Sequence, residues 1–368
     1  MSSGRNIKNV LGLLEPYDPG LFPGDIKRKY GIPEEEIVNL SSNENPYPPP
    51  ERLIKKITDE LGITNRYPDP SYKELKQSIS EYVGLPTENV AVGNGSSDLI
   101  ELACKIILGP LDRVVMPIPT YALYMLTSMI WETGITYVGT EEAAFRLTAN
   151  RVRPFLEDAK LVFLGSPNNP TGLSIEIEEI KGMLSHAETT FVLDEAYSEF
   201  SGKTAAGLLE DNNNLIIMRS MSKHFCLAGL RVGYALSDPT TVESLEKVRL
   251  PFTINNLANR AAIEALKERD YFNRKRQEIV SERERVRENL ENIGLKPFPS
   301  DANFLMVKLP QGSDSDEFTA QLASQGVIVR SLKGLLGLSG DYFRVTVGTI
   351  QENEKFIRTC ENILSRKP

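Results

Sequence analysis

The sequence predicts an α/β fold with a mostly parallel central sheet flanked by helices, followed by a smaller α+β unit. Three short apolar runs, bounded by turn-forming residues, have the length and hydrophobicity of strands buried on both faces: 161–164, 191–193 and 215–218. Helical patterns alternate with the strand patterns, which is typical of parallel strands joined by right-handed crossovers. The chain has 368 residues, 40% of them hydrophobic, which is enough for a large core.

The first elements of the chain follow from turn residues and periodicity. The first forty residues are rich in Pro and Gly, with one short helix predicted at 25–30, and the turn-rich stretch 43–50 cannot be helical because of its prolines. Between there and the three apolar runs, the patterns predict helices at 50–61, 72–83 and 97–107 and strands at 90–92 and 113–116.

A long helical pattern opens the C-terminal part, at 264–292, and we interpret its charged run 282–285 as a solvated face. Strands are predicted next at 303–308, 327–329 and 342–347, with a helix after Thr349. We therefore predict an N-terminal arm at 1–40 that packs with the small domain, a large ligand-binding domain at 41–250, and a connecting long helix and small domain at 251–368.

Composition excludes several classes of function. The net charge is −8 with no basic block, which argues against nucleic acid or an anionic membrane as the main partner. No run of apolar residues is long enough to span a membrane. Cys104, Cys226 and Cys360 are far apart in sequence, so we expect a reducing, cytoplasmic environment without a disulfide framework or a zinc site. With only two histidines, His186 and His224, the sequence disfavours histidine-based metal or triad chemistry.

Polar segments follow four of the predicted strands, at the point where each strand ends. In an open parallel sheet, ligands bind beyond the carboxyl ends of the strands, so these segments are expected at one rim. They are 93–98, 165–172, 194–197 and 219–224.

The glycine-rich segment 93–98 begins like a dinucleotide fingerprint, but Asp98 stands where the third glycine belongs, which disfavours a dinucleotide-dependent oxidoreductase. A turn that leads into a helix N-terminus, around Gly95, still offers free N–H groups to a phosphate. The alternative is a simple tight turn in which Ser96 or Ser97 caps the helix.

The segment after the last apolar run combines hydroxyls, an amine and a cation. Ser220, Ser222 and Arg231 suit a phosphate, and Lys223 in a desolvated, cation-rich site would lose basicity and become a nucleophile. The alternative is an ordinary surface lysine. Asp194 ends a buried strand and therefore needs a cationic partner, which a protonated pyridine nitrogen would provide.

Three further side chains suit an aromatic ligand. Tyr197 and Asn169 could form hydrogen bonds with a ring hydroxyl oxygen, and Tyr121 could stack on the ring or simply pack in the core. A phosphate, a pyridinium, a phenolic oxygen and a lysine amine together describe pyridoxal 5′-phosphate.

At this point several motifs resemble those of a known family. They are 40–47 (LSSNENPY), 66–69 (RYPD), 93–95 (GNG), 166–172 (SPNNPTG), 194–197 (DEAY), 220–223 (SMSK), 228–234 (AGLRVGY), 303–304 (NF) and 344–348 (RVTVG). The chain resembles the fold-type I, pyridoxal phosphate-dependent aminotransferases of class I and II over essentially its whole length. Within them, it is most similar to the histidinol-phosphate aminotransferases, chiefly through 14–20 (LEPYDPG) and the Asn-Glu-Asn-Pro run.

The resemblance implies a role for each cofactor residue. Lys223 would be the Schiff-base lysine, Asp194 would pair with the ring nitrogen, and Tyr121 would stack on the ring. The oxygen of the ring hydroxyl would be held by Tyr197 and Asn169. The cofactor phosphate would be bound by the following groups: Gly95, Ser96 and Ser97 through their backbone, with Ser220, Ser222 and Arg231.

The resemblance also implies shared sites and a substrate pocket. Tyr67 matches a tyrosine that reaches into the partner subunit's site, so a homodimer is expected. Arg344 matches the arginine that holds an acidic substrate group, and Arg330 one that helps to hold a substrate phosphate. Tyr17 and Asn43 would line the same pocket. For Arg330, a solvated arginine at a strand end is an equal alternative.

The expected activity is transamination between histidinol phosphate and 2-oxoglutarate in histidine biosynthesis. The alternatives on the same fold are a threonine-phosphate decarboxylase-like enzyme and an aromatic or other amino-acid aminotransferase. Two departures from the family pattern are Asp98 and the arm segment 21–25. The second bears on substrate identity, because the arm covers the substrate in the family.

Overall fold

The structure is a computed structural model that describes residues 7–141 and 144–365. The first six residues of the predicted arm and the last three of the predicted C-terminal unit lie outside the described residues. The strands form three sheets, of seven, four and two strands. Within the described ranges, no helix has the length and apolar character needed to cross a membrane.

Thirteen strands and thirteen helices of four or more residues, apart from short 3-10 turns, build the described chain. The strands are β1 (Val38–Asn39), β2 (Val90–Gly93), β3 (Arg113–Ile118), β4 (Gly134–Gly139), β5 (Leu161–Gly165), β6 (Thr190–Asp194), β7 (Leu215–Ser220), β8 (Gly233–Leu236), β9 (Lys296–Pro297), β10 (Phe304–Lys308), β11 (Val327–Ile328), β12 (Arg330–Ser331) and β13 (Tyr342–Thr346). The helices are α1 (Pro23–Tyr30), α2 (Glu51–Asp59), α3 (Lys73–Val83), α4 (Ser96–Ile107), α5 (Ala122–Ile130), α6 (Ala149–Val152), α7 (Ile177–Leu184), α8 (Ser198–Ser201), α9 (Pro239–Val248), α10 (Asn256–Lys267), α11 (Arg269–Asn292), α12 (Ser315–Ala323) and α13 (Ile350–Leu364).

The seven-stranded sheet has the order β2-β8-β7-β6-β5-β3-β4, and only β8 runs against its neighbours. Its central strands are buried on both faces. Alternate side chains of a strand point to opposite sides of the sheet, and an apolar cluster lies on each side. In β5, for example, Val162 and Leu164 belong to one apolar cluster and Leu161 and Phe163 to the other. The predicted α/β fold with a mostly parallel sheet is confirmed.

The four-stranded sheet is antiparallel, in the order β12-β13-β10-β9. Its apolar face packs against α11, α12 and α13 around Phe343 and Phe356. Strand β1 pairs in parallel with β11, which ties the segment before residue 40 to this part of the chain. The domain limits at residues 40 and 250 stay a prediction.

Two features of the long charged helix differ from expectation. The pattern at 264–292 is two helices, α10 and α11, with Glu268 between them. The solvated face is wrong for two of its residues, since Glu282 and Arg283 are buried. Arg283 donates a hydrogen bond of 2.8 Å to the carbonyl of Ala302, and the amide of Asn353 donates one of 3.1 Å to Glu282. These bonds fasten α11 to its neighbours and satisfy the buried charges.

Candidate active site

A cavity of about 440 Å³ lies at the carboxyl ends of the parallel strands. Because β2, β5, β6 and β7 run in the same direction, the polar segments that follow them meet at this edge. The N-terminal arm and the strands β12 and β13 contribute further walls. The sequence-predicted residues that line the cavity are Tyr17, Asn43, Ser96, Ser97, Tyr121, Asn169, Asp194, Tyr197, Ser220, Ser222, Lys223, Arg231, Arg330 and Arg344.

One end of the cavity is built to hold an anion. Arg231 donates hydrogen bonds to the hydroxyls of Ser97, at 3.2 Å, and Ser222, at 3.3 Å, beside the N-terminus of α4. Gly95 precedes this helix with a φ of +81°, and a Cβ there would lie only 2.6 Å from the Arg231 guanidinium. A guanidinium, two hydroxyls and the unpaired N–H groups of a helix N-terminus together suit a phosphate.

Asp194 ends β6 with a buried carboxylate. One oxygen accepts a hydrogen bond of 2.9 Å from the N–H of Ala196, and the other accepts one of 2.8 Å from the hydroxyl of Tyr124. Burial raises the pKa of this carboxyl, while the two hydrogen bonds and the amine of Lys223 act in the opposite direction. Its two direct partners are neutral, so a cationic ligand group would stabilise the charged form further.

Lys223 lies in the turn after β7, with its amine in the cavity. The amine donates a hydrogen bond of 2.9 Å to the carbonyl of Ser42. Burial, followed by the positive charge of Arg344, lowers the pKa of Lys223 to about 8, although Glu44 opposes this shift. About one tenth of the amine is therefore neutral and nucleophilic at pH 7, far more than for an ordinary lysine.

The two side chains predicted to bind a ring oxygen, Tyr197 and Asn169, already have hydrogen-bond partners in the protein. The hydroxyl of Tyr197 accepts a hydrogen bond of 2.9 Å from the amide of Asn43, and the side-chain oxygen of Asn169 accepts one of 2.6 Å from Arg344. Tyr121 borders the same space. These contacts fix the two predicted oxygen-binding side chains in orientation, and their binding of a ring oxygen stays a prediction.

The opposite wall carries two guanidinium groups. Arg330 and Arg344 face each other in register on β12 and β13. Arg344 also donates to the backbone carbonyl of Ser41, and its Nε atom has no hydrogen-bond partner in the described structure. Arg330 donates a hydrogen bond of 2.8 Å to the carbonyl of Asp18 and lies 3.3 Å from its carboxylate. This wall suits an anionic substrate.

Two predicted site residues do not line the cavity. Gly95 lies directly behind its anion-binding end, against Arg231. Tyr67 is 79% exposed, and its ring stacks on that of Phe252 with 4.3 Å between the ring centroids. Its predicted position in the site of a second subunit is not tested by a single chain and stays a prediction.

Sequence reasoning missed three groups in the cavity that act on Asp194 or Lys223. Tyr124 lies one helical turn after Tyr121, and this spacing is a signal that could have identified it. Glu44 follows Asn43 in the Asn-Glu-Asn-Pro run and acts on the Lys223 amine by its charge. The third is the Ser42 carbonyl, a backbone group that no residue type indicates.

The described residues include no cluster of three or more His, Cys, Asp or Glu side chains able to hold a metal ion. The cavity instead combines an anion-binding end, a buried carboxylate, an amine of lowered pKa and a two-arginine wall. This set can bind an anionic aromatic cofactor, form a covalent bond through Lys223 and hold a second anion.

Comparisons with known proteins agree with this chemistry. A sequence model of the family described as aminotransferase class I and II matches residues 35–359. The chain is 43% identical to histidinol-phosphate aminotransferase 2 of Archaeoglobus fulgidus, over 97% of this chain and 100% of the relative. It is 34% identical to histidinol-phosphate aminotransferase of Methanococcus maripaludis, over 99% and 100%. A crystal structure of histidinol-phosphate aminotransferase from Sinorhizobium meliloti in complex with pyridoxal-5′-phosphate superimposes with a TM-score of 0.88 at 25% identity, covering 99% of both chains.

Proposed function

The chain belongs to the aminotransferases of class I and II, and on that premise we propose that it uses pyridoxal 5′-phosphate to transfer the amino group of histidinol phosphate to 2-oxoglutarate. The single observation that carries the choice of substrate is the pair Arg330 and Arg344, two guanidinium groups in register on one wall of the cavity. The similarity to histidinol-phosphate aminotransferases suggests the reaction, and the residues of the cavity give it a physical basis.

The residues of the cavity fit each functional group of this cofactor. Arg231, with Ser97 and Ser222, would hold the phosphate, and Asp194 would face the ring nitrogen. Lys223 would form the covalent bond to the aldehyde. When bound, the cofactor supplies an electron sink for the bond that breaks at the substrate's α-carbon.

Lys223 serves two functions in this proposal. As a neutral amine it would attach the cofactor, and once displaced by the amine of a substrate it would carry a proton away from the α-carbon. Its pKa of about 8 suits both, because an amine that titrates near the working pH can both accept and return a proton. The hydrogen bond to the Ser42 carbonyl orients this amine within the cavity.

The arginine wall fits both substrates of the proposed reaction. Histidinol phosphate carries a phosphate and no carboxylate, whereas 2-oxoglutarate carries two carboxylates. Arg330 and Arg344 can bind either kind of anion through paired N–H groups. Tyr17 on the arm lines the same space, so the arm would exclude water above the bound substrate.

We also propose that the chain is a cytoplasmic homodimer in which Tyr67 contacts the partner's cofactor. The exposed Tyr67–Phe252 stack and the exposed side chains of Leu61 and Leu250 supply apolar surface for such an interface. The mass of the chain in solution, measured by light scattering, tests the dimer, and a monomer at micromolar concentration would contradict it.

The proposed reaction is tested by its first half alone. The enzyme loaded with pyridoxal phosphate is mixed with L-histidinol phosphate, and conversion of the bound cofactor to its aminated form is followed by absorbance. We expect conversion that 2-oxoglutarate reverses, and a much weaker response to L-histidinol, which lacks the phosphate. No conversion at millimolar donor, or carbon dioxide release from threonine phosphate, would contradict the proposal.

A further inference from the structure

We infer that Tyr124 is a positioning residue that holds the carboxylate of Asp194 in the orientation needed to face a cationic ring nitrogen. This inference rests on the proposed use of pyridoxal phosphate. The hydroxyl of Tyr124 donates a hydrogen bond of 2.8 Å to Oδ2 of Asp194, while Oδ1 accepts one of 2.9 Å from the N–H of Ala196. Both oxygens of the carboxylate are therefore fixed before any ligand binds.

The ring that carries this hydroxyl is fixed as well. Tyr124 lies on α5 and is only 2% exposed. Its ring stacks on Phe163 with an interplanar angle of 1° and a centroid separation of 4.9 Å, and the ring of Tyr121 packs against it edge-on at 5.6 Å. Because the surrounding rings prevent it from turning away, the hydroxyl stays directed at Asp194.

The hydroxyl also stays a donor. Burial, and then the negative charge of Asp194, raises the pKa of Tyr124 well above its ordinary value of 10.0. A carboxylate oxygen has two lone pairs, so Oδ2 can accept the tyrosine O–H and still accept an N–H from a ligand. Tyr124 thus restricts the direction of the remaining lone pair without using it.

Loss of the hydroxyl should weaken the hold on a cationic ring in two ways. The carboxylate, then held only by the hydrogen bond from the N–H of Ala196, could rotate about its Cβ–Cγ bond. Its pKa would also rise, because the Tyr124 hydrogen bond is one of the interactions that oppose the effect of burial on Asp194. A protonated Asp194 would no longer attract a cation.

The experiment is a double-mutant cycle on the cofactor-loaded enzyme, with Tyr124→Phe made in the wild-type chain and in Asp194→Asn. The readouts are the dissociation constant of pyridoxal phosphate, from its release on dilution, and the rate of the amino-donor half-reaction. We expect Tyr124→Phe to weaken cofactor binding about tenfold in the wild-type chain, the usual scale for a hydrogen bond to a charged group. In the Asp194→Asn background, Tyr124→Phe should change cofactor binding by less than about twofold, because the carboxylate through which Tyr124 acts is no longer present.

The matched control is Tyr82→Phe, which removes the hydroxyl of a partly buried tyrosine for which the described structure shows no hydrogen bond. We expect it to leave cofactor binding unchanged. An equal loss from Tyr124→Phe in both backgrounds would show a merely structural role, and no loss in either would overturn the inference. A general loss of stability cancels in the cycle. If the wild-type chain itself fails to bind pyridoxal phosphate, the proposed function fails instead.

Discussion

The two halves of the cavity are held in place by interactions of different kinds. In the half proposed to hold the cofactor (the cofactor half), Asp194 ends β6 and Lys223 follows β7. Their hydrogen-bond partners are other residues around the cavity. In the substrate half, the arm is joined to Arg330 through Asp18, whose side chain is 76% exposed.

This difference suggests that the proposed chemistry and the choice of substrate depend on separate parts of the structure. Buried hydrogen bonds in a low dielectric are strong and fix a single geometry, whereas an exposed ion pair contributes at most about 1 kcal/mol and is weakened by salt. Asp194 and Lys223 are therefore fixed by the core, whereas the arm, which contacts Arg330 through Asp18, can change without disturbing that core. Substitutions in the two halves should give distinct kinetic results.

The largest effect is expected from Lys223→Ala. Loss of the amine removes both the covalent attachment point and the group proposed to move the proton, so the half-reaction should slow by at least about 10³-fold. The matched control is Lys203→Ala, which removes an exposed lysine paired with Glu176 and should leave the rate unchanged. The rate is measured with enzyme and donor in a single turnover, and a slowing below tenfold would place the proton transfer on another group.

The lowered pKa of Lys223 predicts a specific pH dependence. In the cofactor-free chain, the neutral amine accumulates as pH rises toward about 8, so the rate of adduct formation with pyridoxal phosphate should rise with pH and level off above that value. An exposed lysine would continue to gain reactivity up to about pH 10.4.

Borohydride trapping followed by peptide mass measurement reports the adduct at position 223, and Lys223→Ala reports the background from other lysines. A rate that continues to rise without a plateau beyond pH 9 would contradict a desolvated amine.

The sequence was most informative about the cofactor half. The central strands β5, β6 and β7 are continuous apolar runs, and the sequence alone predicts the polar residues at their ends as site residues. Strand β4 was missed because it lies at the edge of the sheet with a mixed burial pattern, and the short β8 because it contains Gly and Ala, which are weak strand formers.

Other features could not be predicted because they depend on tertiary contacts. The break at Glu268 has no Pro or Gly to mark it, so α10 and α11 form one continuous pattern in sequence. Glu282 and Arg283 have the composition of a solvated face, and their burial depends on tertiary packing, which also brings Asn353 and Ala302 within hydrogen-bond distance of them. The arm contact between Asp18 and Arg330 joins residues more than three hundred positions apart, and no local pattern indicates it.

In the substrate half, Arg330→Ala should raise the KM for a phosphorylated donor by about tenfold or more, as expected when a charge-assisted contact is lost. The KM for L-histidinol, which has no phosphate, should change by less than about twofold because Arg330 would have nothing to bind. The two donors are compared by half-reaction kinetics with the same enzyme preparation. An equal rise for both donors would indicate that Arg330 acts on the arm rather than on the phosphate.

The smallest effect is expected from Asp18→Asn, which tests whether the arm carboxylate competes with the substrate. The substitution keeps the backbone carbonyl that accepts the Arg330 hydrogen bond and removes only the negative charge at 3.3 Å. With the competing charge gone, the KM for histidinol phosphate should fall by about two- to fivefold, the scale of an exposed ion pair, and the difference should shrink at high salt.

Asp158→Asn is the matched control for this change, because it removes the same charge from another exposed pair, with Arg113. Its KM should equal that of the wild-type chain. A rise in KM for Asp18→Asn would mean that the carboxylate instead orients Arg330 toward the phosphate. The arm would then be part of the binding site in the same sense as the strand ends, and the contrast between the two halves of the cavity would be one of exposure rather than of function.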